Sequence, residues 1–179
     1  MTKQISPLDR LPLPAAATER TPNEEAAVPL IPIPRPALKP LRILVAEDNP
    51  VNQELMTCVL EARGHKVTIA NNGGKAIESV HTNVFDVVLM DVQMPEMDVY
   101  EATALIRAGE TWGHRQLPII AMTASAMPSD HLLCLAAGMN EYATKPVKPA
   151  LLLEVIARCL ETVAAAELRG QATGEAARA

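Results

Sequence analysis

Aromatic side chains are scarce in this sequence: Phe85, Tyr100, Trp112 and Tyr142 are the whole set among 179 residues. So thin a supply argues against base-stacking platforms for single-stranded nucleic acid and leaves the core to aliphatic side chains. Basic charge is also short. The formal net charge is −5, the wrong sign for a surface that holds nucleic acid by its phosphates, so no nucleic-acid partner is expected. Cysteine is limited to Cys58, Cys134 and Cys159, an odd number, far apart and without metal-ligand spacing. Each falls in an apolar helical pattern and reads as a small buried hydrophobe in a reducing compartment. No apolar run reaches the roughly 18 residues of a membrane span, and the N-terminus lacks a charged-then-apolar leader. A cytoplasmic chain with no membrane partner is the expectation.

Proline, by contrast, is abundant and lopsided, with nine of the fifteen in residues 1–40. The stretch Pro29-Leu-Ile-Pro-Ile-Pro-Arg-Pro36 favours extended polyproline II, which has no internal hydrogen bonds and serves as a spacer. A ligand for a proline-recognising domain is the alternative, and spacer is the preferred reading. Residues 1–40 are thus expected to be a disordered linker. Of 16 basic and 21 acidic residues they hold five and four, so the rest carries 11 against 17, a net −6.

From Leu41 short apolar runs alternate five times with helical patterns. Arg42–Ala46 reads as a first strand, ending at Glu47-Asp48. Asn49-Pro50 then supplies an N-cap and a first-turn proline. Val51, Leu55, Val59 and Ala62 recur at four-residue spacing as the inner face of the helix that follows, and Gly64 stops it. His65–Ala70 reads as a second strand, with Val67 and Ile69 inward, and Ala76, Ile77 and Val80 mark a second helix. Val87 to Met90 is a continuous apolar run into Asp91, a strand buried on both faces. A helix over about 99–108, a strand over 117–122 ending at Thr123 and a helix from Ser129 to Gly138 follow. A short strand over 141–144 then ends at Lys145-Pro146. The last helix opens at Pro149 with Leu152, Val155, Ile156, Cys159 and Val163 as its core face. Such an order implies an α/β fold of the flavodoxin-like, doubly wound kind. It has a five-stranded parallel sheet in the order 2-1-3-4-5, with helices on both faces. Residues 163–179 read as a flexible tail after a domain over 41–162.

The carboxyl ends of these strands collect chemistry. Glu47 and Asp48 end the first, Asp91 the third, Thr123 the fourth and Lys145 the fifth. Each pair of like charges at about 4 Å costs roughly 4 kcal/mol at an effective dielectric of 20, so a cation is required. Oxygen ligands without His or Cys point to Mg²⁺. A carboxylate flanked by that ion, an ammonium and a hydroxyl suits a group with dispersed negative oxygens. Asp91 is then a nucleophile for phosphorus, forming an aspartyl phosphate, with catalysis by positioning and charge neutralisation.

Four motifs carry a resemblance to a known family: Val45-Ala-Glu-Asp-Asn-Pro-Val-Asn-Gln53, Leu89-Met-Asp-Val-Gln-Met-Pro-Glu-Met-Asp98, Met122-Thr-Ala-Ser125 and Ala137-Gly-Met-Asn-Glu-Tyr-Ala-Thr-Lys-Pro146. Residues 41–162 resemble a response-regulator receiver domain, of the type attached to hybrid sensor histidine kinases. The resemblance implies Asp91 as phosphoacceptor and Glu47, Asp48, Asp91 and the backbone carbonyl of Gln93 as the Mg²⁺ site. It implies Thr123 as the switch hydroxyl, Lys145 as the phosphoryl-binding lysine and Tyr142 as the switch aromatic. Its implied partners are a histidine kinase or histidine-phosphotransfer protein, with self-association through the helix 4–strand 5–helix 5 face. Such a domain is a signalling phosphoacceptor, not an enzyme beyond self-phosphorylation and slow self-dephosphorylation. Two alternatives stand beside a free-standing receiver: a piece of a hybrid kinase, and an interaction module that works without phosphorylation. A haloacid-dehalogenase-type phosphatase needs a second acid where Gln93 stands and is disfavoured. One departure is Val99, where the family usually has glycine; a β-branched residue resists positive φ, so the turn there must be rebuilt. The four histidines share no motif and read as solvated or internally satisfied.

Overall fold

The computed structural model describes residues 38–94, 97–109, 116–125 and 127–176. The linker expected over residues 1–40 lies outside them except for its last three positions. Five strands, β1 (Arg42–Ala46), β2 (Lys66–Ala70), β3 (Val87–Asp91), β4 (Ile119–Thr123) and β5 (Glu141–Thr144), alternate with five helices. These are α1 (Pro50–Glu61), α2 (Gly73–Thr82), α3 (Val99–Gly109), α4 (Pro128–Ala136) and α5 (Pro149–Ala176). All four strand pairings are parallel and the order is β2-β1-β3-β4-β5, as expected from the sequence.

β3 and β4 are buried at every position, because helices cover both faces of the sheet. Leu44, Ala46, Val88, Met90, Ile119 and Ala121 face α2, α3 and α4. Ile43, Val45, Val87, Leu89, Ile120 and Met122 face α1 and α5. Leu38 and Leu41 pack against this second layer, so the packed domain begins slightly before residue 41. No helix among the described residues is long and apolar enough to cross a membrane.

Several local expectations are corrected. α1 buries Met56 and Leu60, not the Val51–Leu55 stripe, whose members are 71% and 52% exposed. Both stripes are apolar at four-residue spacing, and the cap decides between them. Asn49 accepts hydrogen bonds from the Val51 and Asn52 amides, a phase that turns Asn52, Met56 and Leu60 inward. Ile69 is half-exposed because β2 is an edge strand, and Cys58 is exposed on the outer face of α1, whereas Cys134 and Cys159 are buried. α5 continues to Ala176 where a tail from residue 163 was expected; the alanine-rich sequence there has high helix propensity. Val163 is still core.

Val99 needs no left-handed turn. It is the first residue of α3, with its side chain 2% exposed in the α2–α3 layer. Asp98 accepts from the Tyr100 amide through Oδ1, so the helix starts one residue after an acidic cap. Gly64 and Gly138, with φ of 82° and 97°, do occupy the left-handed region expected of helix-ending glycines.

Candidate functional site

Strand register brings the acids together. Ala46 pairs with Met90, so the next residues, Glu47 and Asp91, stand level on neighbouring strands at the carboxyl end of the sheet. Thr123 pairs with Thr144 on β5, which sets Lys145 just beyond, its amide donating to the Thr123 carbonyl at 2.7 Å. Carboxylate oxygens of Glu47, Asp48 and Asp91 all lie within 4.8 Å of one another. Glu47 and Asp91 are buried, whereas Asp48 is exposed.

Lys145 ties two of the three acids. Its Nζ donates to Asp91 Oδ2 at 2.7 Å and to Glu47 Oε2 at 2.8 Å. The other Asp91 oxygen, Oδ1, accepts from the Gln93 amide at 3.0 Å, which fixes the carboxylate plane. Glu47 is held as firmly: Oε1 accepts from Asn52 Nδ2 at 3.0 Å and from the Asn49 amide at 3.3 Å, and its carbonyl accepts from Gln53 Nε2 at 2.6 Å. Burial pushes the Glu47 carboxyl upward, but the Lys145 ammonium, the Asn52 amide and the Asn49 N–H outweigh it and hold the group below its ordinary value. Burial likewise opposes the Lys145 charge, and bonds to Asp91 and Glu47 overcome it, raising the ammonium above its ordinary value.

Thr123 is buried, and its Oγ1 accepts from the Ser125 amide at 3.1 Å. Gln93 lies two residues past Asp91, its amide already engaged. Tyr142 does not enter the acid cluster. It is half-buried against the α2–α3–α4 layer and stacks on His131 of α4, with ring centroids 3.5 Å apart and planes 19° from parallel. A cavity of about 410 Å³ opens beside the site, lined in part by Glu47, Lys145, Leu55, Met122 and Val147.

Sequence reasoning gave no role to Asn52, Gln53 or His131. The first two sit within the motif that follows Glu47, and the Asn49 cap was the available signal: it folds the chain back so that Asn52 reaches the Glu47 carboxylate and Gln53 its backbone carbonyl. Nothing local marks His131, whose partner comes from another element. Three hard oxygen donors without nitrogen or sulfur fit a small divalent cation such as Mg²⁺, and Lys145 supplies a fixed positive charge beside them.

A family model described as the response regulator receiver domain matches residues 43–157. The chain belongs to that family. This receiver is 42% identical over 116 residues to the sensor histidine kinase GacS of Pseudomonas protegens, covering 64% of this chain and 13% of the relative. It is 43% identical over 122 residues to hybrid signal transduction histidine kinase I of Dictyostelium discoideum, covering 65% of the chain and 7% of the relative. The chain therefore spans only a small part of those kinases' length. Among solved structures, the receiver domain of sensor histidine kinase PA1611 from Pseudomonas aeruginosa superposes with a TM-score of 0.62 at 41% identity, covering 69% of this chain and 99% of that one. That structure has a magnesium ion coordinated in its active-site cleft. The Ssk1 receiver domain of Saccharomyces cerevisiae, solved with the histidine phosphotransfer protein Ypd1, superposes with a TM-score of 0.62 at 29% identity, covering 65% and 86%.

Proposed function

We propose that this receiver accepts a phosphoryl group on Asp91 from a phosphohistidine of a histidine kinase or histidine-phosphotransfer protein. The observation that carries the reading is the Lys145 ammonium bonded at once to buried Asp91 and buried Glu47 beside the exposed Asp48 carboxylate. An Asp91 oxygen attacks phosphorus as the donor's P–N bond breaks, and the departing imidazole takes up a proton. Glu47, Asp48, Asp91 and the Gln93 carbonyl would hold Mg²⁺, which when bound neutralises charge on the transferring oxygens. Lys145 and the Thr123 hydroxyl bind the new phosphoryl oxygens, which costs Lys145 one of its present contacts. The Thr123 hydroxyl moves toward the phosphoryl group and Tyr142 follows, shifting the population toward a second conformer.

The kinase names of the relatives support a place in a hybrid-kinase phosphorelay, with residues 1–40 as the tether and the domain over 41–162 as the receiver. Self-phosphorylation from a small donor and slow self-dephosphorylation are the chemistry expected of it, in the cytoplasm. Self-association through α4, β5 and α5 is supported by the exposure of Leu132, Leu133 and Leu135 on α4. The test is incubation with acetyl phosphate and Mg²⁺ followed by intact mass. A phosphoryl adduct is expected on the wild type and not on Asp91→Asn; no adduct, or one that persists in the variant, overturns the assignment.

A further inference from the structure

We infer that His131 is a positioning residue of the switch: its ring clasps Tyr142 in the resting conformer, and the clasp is built to open. The inference rests on the reading of Tyr142 as the switch aromatic. Tyr142 pairs in register with Ala121, so its ring lies on the sheet face that Ala121 and Thr123 share. In the resting structure that ring is stacked on His131, 3.5 Å between centroids. This face-to-face stack buries the two ring faces against each other, so the pair fastens α4 to β5.

The same contact has a cost. His131 Nε2 is buried and has no hydrogen-bond partner among the described residues. A buried polar atom left unpaired is unfavourable, and such atoms in native structures mark places where free energy is held in reserve. Movement of Tyr142 toward Thr123 uncovers Nε2 to water and relieves that cost. The stack thus favours the resting state, and the unmet nitrogen limits how strongly it does so. A phenylalanine would keep the stack and remove the nitrogen, whereas a side chain without a π face would remove both.

The experiment uses the full chain labelled with fluorotyrosine, which gives two ¹⁹F signals because the sequence has two tyrosines; Tyr100→Phe assigns them. Acetyl phosphate with Mg²⁺ is the phosphodonor. His131→Phe is expected to lower the ratio of displaced to resting Tyr142 by roughly fivefold at equal phosphorylation, the factor set by one relieved polar group. His131→Ala and His131→Leu are expected to move the Tyr142 signal toward the displaced position before any donor is added. Leu fills the space if Ala fails to fold. Equal behaviour of all three variants, or Tyr142 signals that match the wild type with and without donor, overturns the clasp. Absence of an Asp91 adduct on the wild type would overturn the phosphoacceptor reading separately, and the donor-free comparison of Phe with Leu would still decide the role of His131.

Discussion

Replacing Lys145 with methionine should destabilise the metal-free protein by about 3 kcal/mol. Each pair of carboxylates in the cluster, at separations within 4.8 Å, repels by roughly 3 kcal/mol at an effective dielectric of 20. Lys145 offsets this with two charge-assisted bonds of 2.7 and 2.8 Å. Methionine fills much of the same volume and offers no charge. Removing one partner of a buried ion pair typically costs about 3–5 kcal/mol, and the lower end applies because the Lys145 side chain is 22% exposed. In urea, with a slope of about 2 kcal/mol per molar, the midpoint should fall by about 1.5 M in EDTA. Mg²⁺ should restore much of the loss, since a cation bound only by the folded state stabilises it by mass action. The pH profile should change at its edges. The raised Lys145 group contributes stability that is full below its ordinary 10.5 and is lost as pH rises through its folded value. The lowered Glu47 group contributes stability present above 4.5 and lost as pH falls through its folded value. Lys145→Met should remove the alkaline edge and weaken the acid one. A loss under about 1 kcal/mol, with no Mg²⁺ rescue and an unchanged alkaline limb, would refute the charge reasoning.

Arg107 of α3 donates to the Gly138 carbonyl at 2.8 Å, the Leu117 carbonyl at 2.8 Å and Asn140 Oδ1 at 2.7 Å. Arg107→Met strips these acceptors and should cost about 2–3 kcal/mol in a urea melt, with Arg107→Lys recovering only part because an ammonium cannot reproduce the fork. A thiol reagent at neutral pH should modify exposed Cys58 quickly and leave Cys134 and Cys159 until unfolding, since burial pushes the Cys159 thiol up to about 11. Counting released chromophore with and without denaturant checks this, and fast reaction of more than one thiol would contradict the packing of α4 and α5.

Most of the fold could be read from the chain because its signals agree across levels. The run from Val87 to Met90 fits a strand covered on both faces, and five such units with short connections call for a parallel sheet, of which 2-1-3-4-5 is one of the common orders. The acid cluster followed because each strand end is marked by a change from apolar to charged residues. What stayed hidden depends on tertiary phase. The stripes Val51–Leu55 and Met56–Leu60 are equally apolar, and only the Asn49 cap, acting with Glu47 across the turn, selects one. Val99 breaks the family pattern yet causes no strain, because α3 begins at that residue and receives its side chain in the core. Arg107 and Asn140 meet across 33 positions, and no local pattern announces such a pair. His131 was indistinguishable in sequence from a surface histidine.

β5 has consequences of a mechanical kind. It is four residues long and forms one edge of the sheet, opposite β2, with a ladder on one side only. Its Tyr142 faces the α4 layer, while Ala143, and by alternation Lys145, faces the α5 layer. A small roll of this strand about its own axis therefore carries an ammonium and an aromatic ring in opposite senses, and it disturbs one row of hydrogen bonds where an inner strand would disturb two. Movement of β5 is resisted by β4 alone, whereas β1 and β3, at whose ends Glu47 and Asp91 stand, are braced on both sides.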